Sequence, residues 1–98
     1  MTIHTAIEGT KLTVSLEGRL DAQAAPQFEN VLKENLRGMT DLELDFSALL
    51  YIASAGLRVL LSAMKIMQKQ GTMAVCNPNE TVMEVLEITG FADMLTIR

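Results

Sequence analysis

Cysteine is nearly absent from this 98-residue chain, and Cys76 stands alone. A single thiol excludes an internal disulfide and implies a reducing, cytoplasmic setting. Histidine is equally scarce. His4 is the only one, and with one thiol it falls far short of a metal-ligand cluster, so no metal and no cofactor is expected. Long apolar runs are missing too, as is an N-terminal charged segment leading into an apolar one. Neither membrane insertion nor a secretory leader is expected. Positive charge is in short supply, with eight Lys and Arg against twelve Asp and Glu and a net charge of −4. That balance argues against a nucleic-acid or anionic-membrane surface, either of which needs a basic patch. There are no linkers, repeats or low-complexity tracts. What remains is an apolar fraction of 49%, enough for a packed core and too much for a disordered chain. The length suits one domain spanning residues 1–98, which would bury about 60–65% of its unfolded surface.

Periodicity divides the chain into short elements. Ile3 to Ile7 reads as a strand, Glu8-Gly9-Thr10 as a turn, and Lys11 to Glu17 as a second strand with Leu12, Val14 and Leu16 alternating against polar neighbours. Together they form a hairpin. His4, between Ile3 and Thr5, takes an exposed strand position. Gly18 to Ala22 turns the chain into a helix that accepts Pro26 in its first turn, carries the stripe Ala25, Phe28, Val31, Leu32 and Leu36, and ends near Gly38. Asp41 to Phe46 is the next strand, followed by a short loop to Ser54. A helix then runs from about Ala55 to Gln70 and stops at Gly71. Thr72 to Cys76 is a strand with Met73 and Val75 buried and Cys76 a small buried hydrophobe. Asn79 caps a last helix from Glu80 to Thr89 that ends at Gly90, and Leu95 to Ile97 is either a short strand or an apolar tail. Strands and helices alternating over residues 41–97 imply parallel pairing with helical crossovers, added to an antiparallel hairpin. The expected class is α/β, a mixed sheet of four to five strands with helices packed on it.

The junction at Ser54 carries the functional information. A serine between an apolar strand and a long helix is a favoured N-cap, since the first N–H groups of a helix have no partner within it. Those groups and the positive end of the helix dipole also welcome a phosphate. The plainer reading is a cap and nothing more.

Tyr51-Ile52-Ala53-Ser54-Ala55-Gly56-Leu57 resembles the signature of the STAS domain family, specifically the bacterial anti-sigma-factor antagonists. Three further landmarks agree in kind and order. Leu16-Glu17-Gly18-Arg19-Leu20-Asp21 is similar to the family's Gly-x-Leu/Ile-Asp turn, Asp45-Phe46-Ser47 to its Asp-x-Ser strand end, and Val85-Leu86-Glu87-Ile88-Thr89-Gly90-Phe91 to its terminal helix and exit. The likeness runs from about Ile3 to Ile97. It implies a STAS-like fold and a protein that, when unphosphorylated, binds an anti-sigma factor and thereby releases a sigma factor for transcription. It further implies that the anti-sigma factor is also an ATP-dependent serine kinase acting on Ser54, and that a serine phosphatase reverses the modification. Partner contact is then expected at Asp21, Ala53, Ala55, Gly56, Leu57 and Arg58. Arg58, one helical turn beyond Ser54, either pairs with a phosphate there, meets an acidic partner, or is a solvated surface arginine. Two positions depart from the pattern: Ala53 replaces a common acidic residue and Ala55 a common serine or threonine. Ala53 removes a charge that could orient the hydroxyl or aid kinase recognition.

The helix after Ser54 has an apolar arc of roughly 220°, wider than one sheet contact needs. Either a second helix covers the other flank, or the surplus docks a protein, a second copy of this chain included. Two rival functions share these residues. One is a STAS interaction module with no phosphorylation, serving as a scaffold or transport-complex subunit. The other is an enzyme, because Ile52 to Gly56 resembles a nucleophile elbow. That motif's first glycine is missing, His4 is the only candidate base for Ser54 or Ser47, and the chain is short for a hydrolase sheet. A non-enzymatic protein is expected.

Overall fold

A tight turn at Gly9-Thr10 folds β1 (Thr2–Glu8) back on β2 (Lys11–Leu20), with Glu8 opposite Lys11 and the register unbroken to the Thr2–Glu17 pair. The computed structural model describes residues 1–98. After β2 come α1 (Ala25–Asn35), β3 (Asp41–Ile52), α2 (Ser54–Gln70), β4 (Thr72–Cys76), α3 (Glu80–Ile88), the single turn α4 (Phe91–Met94) and β5 (Thr96–Ile97). The sheet order is β1-β2-β3-β4-β5; the first pair is antiparallel and the rest are parallel. The expected mixed sheet is therefore present, with five strands and helical crossovers between the parallel ones.

Period-two alternation gives the sheet one apolar and one polar face. Leu12, Val14 and Leu16 on β2 and Leu42, Leu44 and Phe46 on β3 are buried, while Lys11, Thr13, Ser15, Asp41, Glu43 and Asp45 between them stay partly exposed. The core forms where the apolar face meets Phe28, Leu32 and Leu36 of the α1 region, Leu60, Ala63 and Met67 of α2, and Val82 and Leu86 of α3.

Several boundaries differ from the sequence reading. The stretch between Phe46 and Ser54 is strand, not loop: β3 continues to Ile52, pairing with β2 across two register shifts. Between the Ser15–Asp45 and Glu17–Ala48 pairs β3 carries one extra residue, and between Gly18–Leu49 and Arg19–Tyr51 another. Each bulge breaks the alternation that marks a strand, so the buried positions fall at Phe46, Leu49 and Ile52, and Leu50 is pushed out to 62% exposure. β2 likewise extends through Leu20, leaving Asp21–Ala24 as the turn into α1. The last helix ends at Ile88, and Gly90, at φ +82°, starts the unforeseen turn α4. Leu95 to Ile97, left open between strand and tail, contains β5, which is held by Arg98 donating to the Val75 carbonyl and by Asn77 donating to that of Arg98.

The wide apolar arc of α2 is mostly taken up by neighbours on both flanks. Val59 and Ala63 face Leu32 and Leu36 across a groove, while Met64 and Met67 share a cavity of about 120 Å³ with Met73, Met94 and Leu95. Leu61 and Ile66 are the large apolar side chains of α2 left exposed.

Candidate functional site

Ser54 stands exposed at the first position of α2, not at its N-cap. The cap is Ala53, whose extended backbone (φ −98°, ψ 172°) ends β3 while its carbonyl accepts the first helical bond from the Leu57 N–H at 3.1 Å. The serine cap expected from the sequence is thus displaced by one residue, because the strand runs to Ile52 and fixes Ala53 by an N–H donated to the Leu20 carbonyl at 2.9 Å. No side chain caps α2 and no acidic residue lies in its first turn. The first N–H groups of α2 and the positive end of its dipole therefore lie next to Ser54 with no side-chain cap and no acidic neighbour in the first turn.

The first turn of α2 is pressed hard on the strand ends. A Cβ on Gly56 would lie 2.7 and 2.8 Å from Leu20 Cγ and Cδ2 and 3.0 Å from Ile52 Cγ1, so only glycine lets the helix approach this closely. Gly56 and Leu57 turn inward and are buried. Of the six residues expected at a partner face, these two support it from beneath. Ala53 and Ala55 are half-buried and Arg58 is exposed.

Asp21 lies in the neighbouring turn. Its Oδ1 accepts from the backbone N–H of Gln23 at 3.1 Å and of Ala24 at 3.0 Å, so it shapes the turn that leads into α1. Next to it, Ala22, Ala25, Pro26 and Glu29 of the α1 side meet Ala55, Arg58 and Val59 of α2 across a shallow cleft of about 200 Å³. The turn after β2 and the first turns of α1 and α2 thus meet at a cleft lined by Ala55 and Arg58, next to Ser54 in the chain. His4 does not join it: it sits on the outer strand β1, its Nε2 3.7 Å from Glu17.

Sequence reasoning missed two supports of this face. Arg19 places its guanidinium 4.7 Å from the centre of the Tyr51 ring, on the strands leading into Asp21 and Ser54. Asn79 does more than cap α3 through Val82: its Nδ2 also donates to the Leu49 carbonyl at 3.0 Å, tying the helix to the bulged part of β3. The Asp45-Phe46-Ser47 motif has a local role, since Asp45 Oδ1 accepts from the Ser47 N–H at 3.0 Å at the first bulge.

The polar sheet face holds a second cluster, of structural character. Lys11 Nζ lies 2.7 Å from Glu43, and the Cys76 thiol donates to Glu43 Oε1 at 3.0 Å. These two partners, the thiol first, hold the Glu43 carboxyl below the usual carboxylate range. Burial, reinforced by Glu43, pushes the Cys76 thiol up to about 11. Cys76 is buried as expected, but outside the apolar core cluster and with its thiol engaged.

A family model described as the STAS domain matches residues 2–98. The chain belongs to the STAS domain family. Among proteins similar to this STAS domain is BtrV of Bordetella bronchiseptica, a candidate anti-sigma factor antagonist, 38% identical over 88 residues that cover 88% of this chain and 76% of BtrV. The solved structure of the anti-sigma factor antagonist SpoIIAA in its unphosphorylated form matches with a TM-score of 0.86 at 20% identity, over 99% of this chain and 88% of that one. The Bacillus cell fate determinant SpoIIAA in its phosphorylated form matches with a TM-score of 0.78 at 19% identity, over 99% of this chain and 91% of that one. At those identities the two structures bear on the fold, which is that of a STAS domain with all five strands present. No helix is long and apolar enough to cross a membrane.

Proposed function

We propose that this STAS domain is an anti-sigma-factor antagonist, binding its anti-sigma factor through the face around Ser54 and released by phosphorylation of that serine. The carrying observation is the position of Ser54: an exposed hydroxyl on the first turn of an uncapped helix, in a chain 38% identical to BtrV. SpoIIAA, similar in fold, is known in phosphorylated and unphosphorylated forms. The chemistry of such a switch is local. A phosphate adds about −1.5 to −2 charges, and the folded domain tolerates them at a helix N-terminus. In a contact face the same group must be desolvated against whatever met the bare hydroxyl. A penalty of a few kcal/mol there weakens binding about 10²-fold or more. Asp21, Ala53, Ala55 and Arg58 would line the contact, with Gly56 and Leu57 setting its shape from below. The anti-sigma factor doubles as the serine kinase in this reading, a serine phosphatase restores the hydroxyl, and the domain itself catalyses nothing, in the cytoplasm.

The test is incubation with the anti-sigma kinase of the same genome and ATP, read by intact mass. One added phosphate, abolished in Ser54→Ala, is expected; an unmodified wild type overturns the switch. The absence of any acid at Ala53 or in the first turn favours a second reading, an unphosphorylated interaction module. That reading predicts capture of a scaffold or transporter component whose binding is the same for wild type and Ser54→Asp.

A further inference from the structure

The outer edge of the sheet is unusually open. β1 is seven residues long, pairs with β2 in an uninterrupted register, and contains no proline, lysine or arginine. Exposed edge strands are commonly blunted by shortness, bulges, proline or lysine, because their free N–H and C=O groups template pairing with another chain. The opposite edge, β5, is only two residues long, whereas β1 has none of these safeguards.

The hairpin fixes which groups are free. Across a two-residue turn the flanking residues, Glu8 and Lys11, form a hydrogen-bonded pair, and every second pair along the ladder does the same. Thr2, His4, Ala6 and Glu8 therefore turn their amides to β2, and the N–H and C=O groups of Ile3, Thr5 and Ile7 point outward. This free set is symmetric about Thr5. The side chains of the same three residues lie on the apolar side of the sheet, since they stand opposite Leu16, Val14 and Leu12, yet Ile7 is 52% exposed.

We propose that β1 pairs antiparallel with β1 of a second copy of this chain about a two-fold axis at Thr5, joining the two sheets into one. In that register Thr5 faces Thr5 of the partner subunit and Ile3 faces Ile7 of the partner subunit. Each such pair exchanges both N–H···O bonds, so every free group of the edge is used. Ile7 gains an apolar neighbour on the side of the sheet that carries the core. On the polar side His4 falls opposite Ala6 and Thr2 opposite Glu8, so no like charges are brought together. A single strand seam buries less than the ~1,200 Å² of a standard interface, so the dimer is weak and depends on concentration. The pairing leaves the Ser54 face out of account and stands whether or not that serine is modified.

Sedimentation velocity on the full chain, from micromolar to millimolar concentration, should show monomer passing to dimer. Thr5→Pro deletes an outward N–H that the fold does not use, a place where an edge strand accepts proline. Ile7→Lys sets a charge on the seam. Each should weaken self-association at least about tenfold while the far-ultraviolet circular dichroism stays unchanged. A wild type that stays monomeric at millimolar concentration overturns the proposal, as does a dimer that persists unweakened in either folded variant. Thr5→Cys gives a positive readout: a hydrogen-bonded pair at the axis has its Cα atoms about 5.5 Å apart, within disulfide range, so mild oxidation should yield a covalent dimer. A dimer that forms but does not cross-link at Thr5→Cys places the seam elsewhere and overturns it equally.

Discussion

Arg19 lies over the ring of Tyr51, 4.7 Å from its centre, on paired positions of β2 and β3 just past the second bulge. The contact joins the two strands where one turns into α1 through Asp21 and the other enters α2 through Ser54. An exposed cation over an aromatic face contributes about 0.5–1 kcal/mol. A double-mutant cycle with Arg19→Gln and Tyr51→Leu, measured by urea unfolding, should therefore return a coupling of that size. Zero coupling would make the stacking incidental to the strand pairing.

Ser54→Asp should move stability and binding in opposite directions. A carboxylate in the first turn of an uncapped helix interacts favourably with the dipole, by about 0.3–1 kcal/mol. The melting temperature should rise by a few degrees, and the gain should shrink as salt screens an exposed charge. Affinity for the anti-sigma factor should fall in the same variant. A variant both less stable and weaker in binding would point to damage to the fold, not to a switch.

Cys76 gives a pH-dependent signature. Its pKa is raised to about 11, by burial first and by the hydrogen bond to Glu43 second, so the folded state favours the neutral thiol. Below the ordinary thiol value both folded and unfolded chains are protonated, and the full contribution is present. As pH climbs from there toward about 11 only the unfolded chain ionises, and stability is lost through that window. Cys76→Ala should flatten the alkaline fall in unfolding free energy. Iodoacetamide should label the native thiol slowly near neutrality and the urea-unfolded thiol much faster. Glu43 works in the other sense: its lowered pKa gives stability that is present above the ordinary carboxylate value and lost as pH falls.

Most of the fold was legible because its strands obey one simple period. Leu12, Val14, Leu16 and Leu42, Leu44, Phe46 alternate cleanly, and the helical stripe from Phe28 to Leu36 is equally regular. Legibility failed at residues 47–53, where two bulges shift the buried positions to Leu49 and Ile52 and imitate a loop. That one error moved the helix cap from Ala53 to Ser54. The serine and its place at the mouth of α2 were readable from the apolar strand and helix on either side. The inward turn of Gly56 and Leu57 was not, since it depends on how closely α2 approaches Leu20 and Ile52, a distance that no local pattern encodes.

That close approach makes Gly56→Ala a sharp test of how the site is built. In most helices this change adds about 0.5–1 kcal/mol of stability by removing backbone freedom from the unfolded chain. Here the new methyl would meet Leu20 Cγ at 2.7 Å and Ile52 Cγ1 at 3.0 Å, and both residues are fully buried and held by the core. Overpacking of that kind costs about 1–3 kcal/mol, which outweighs the gain, so a net loss of roughly 1–2 kcal/mol is expected in urea unfolding. The strain is relieved by lifting the first turn of α2, which carries Ser54 and Arg58 with it, so anti-sigma-factor binding should weaken as well. Leu20→Ala opens a cavity and is destabilising alone, by about 2–5 kcal/mol. Combined with Gly56→Ala it should cost clearly less than the sum of the two, because the added methyl occupies the vacated space. Strict additivity would mean that α2 rests on β2 without the contact at Leu20 that fixes its height.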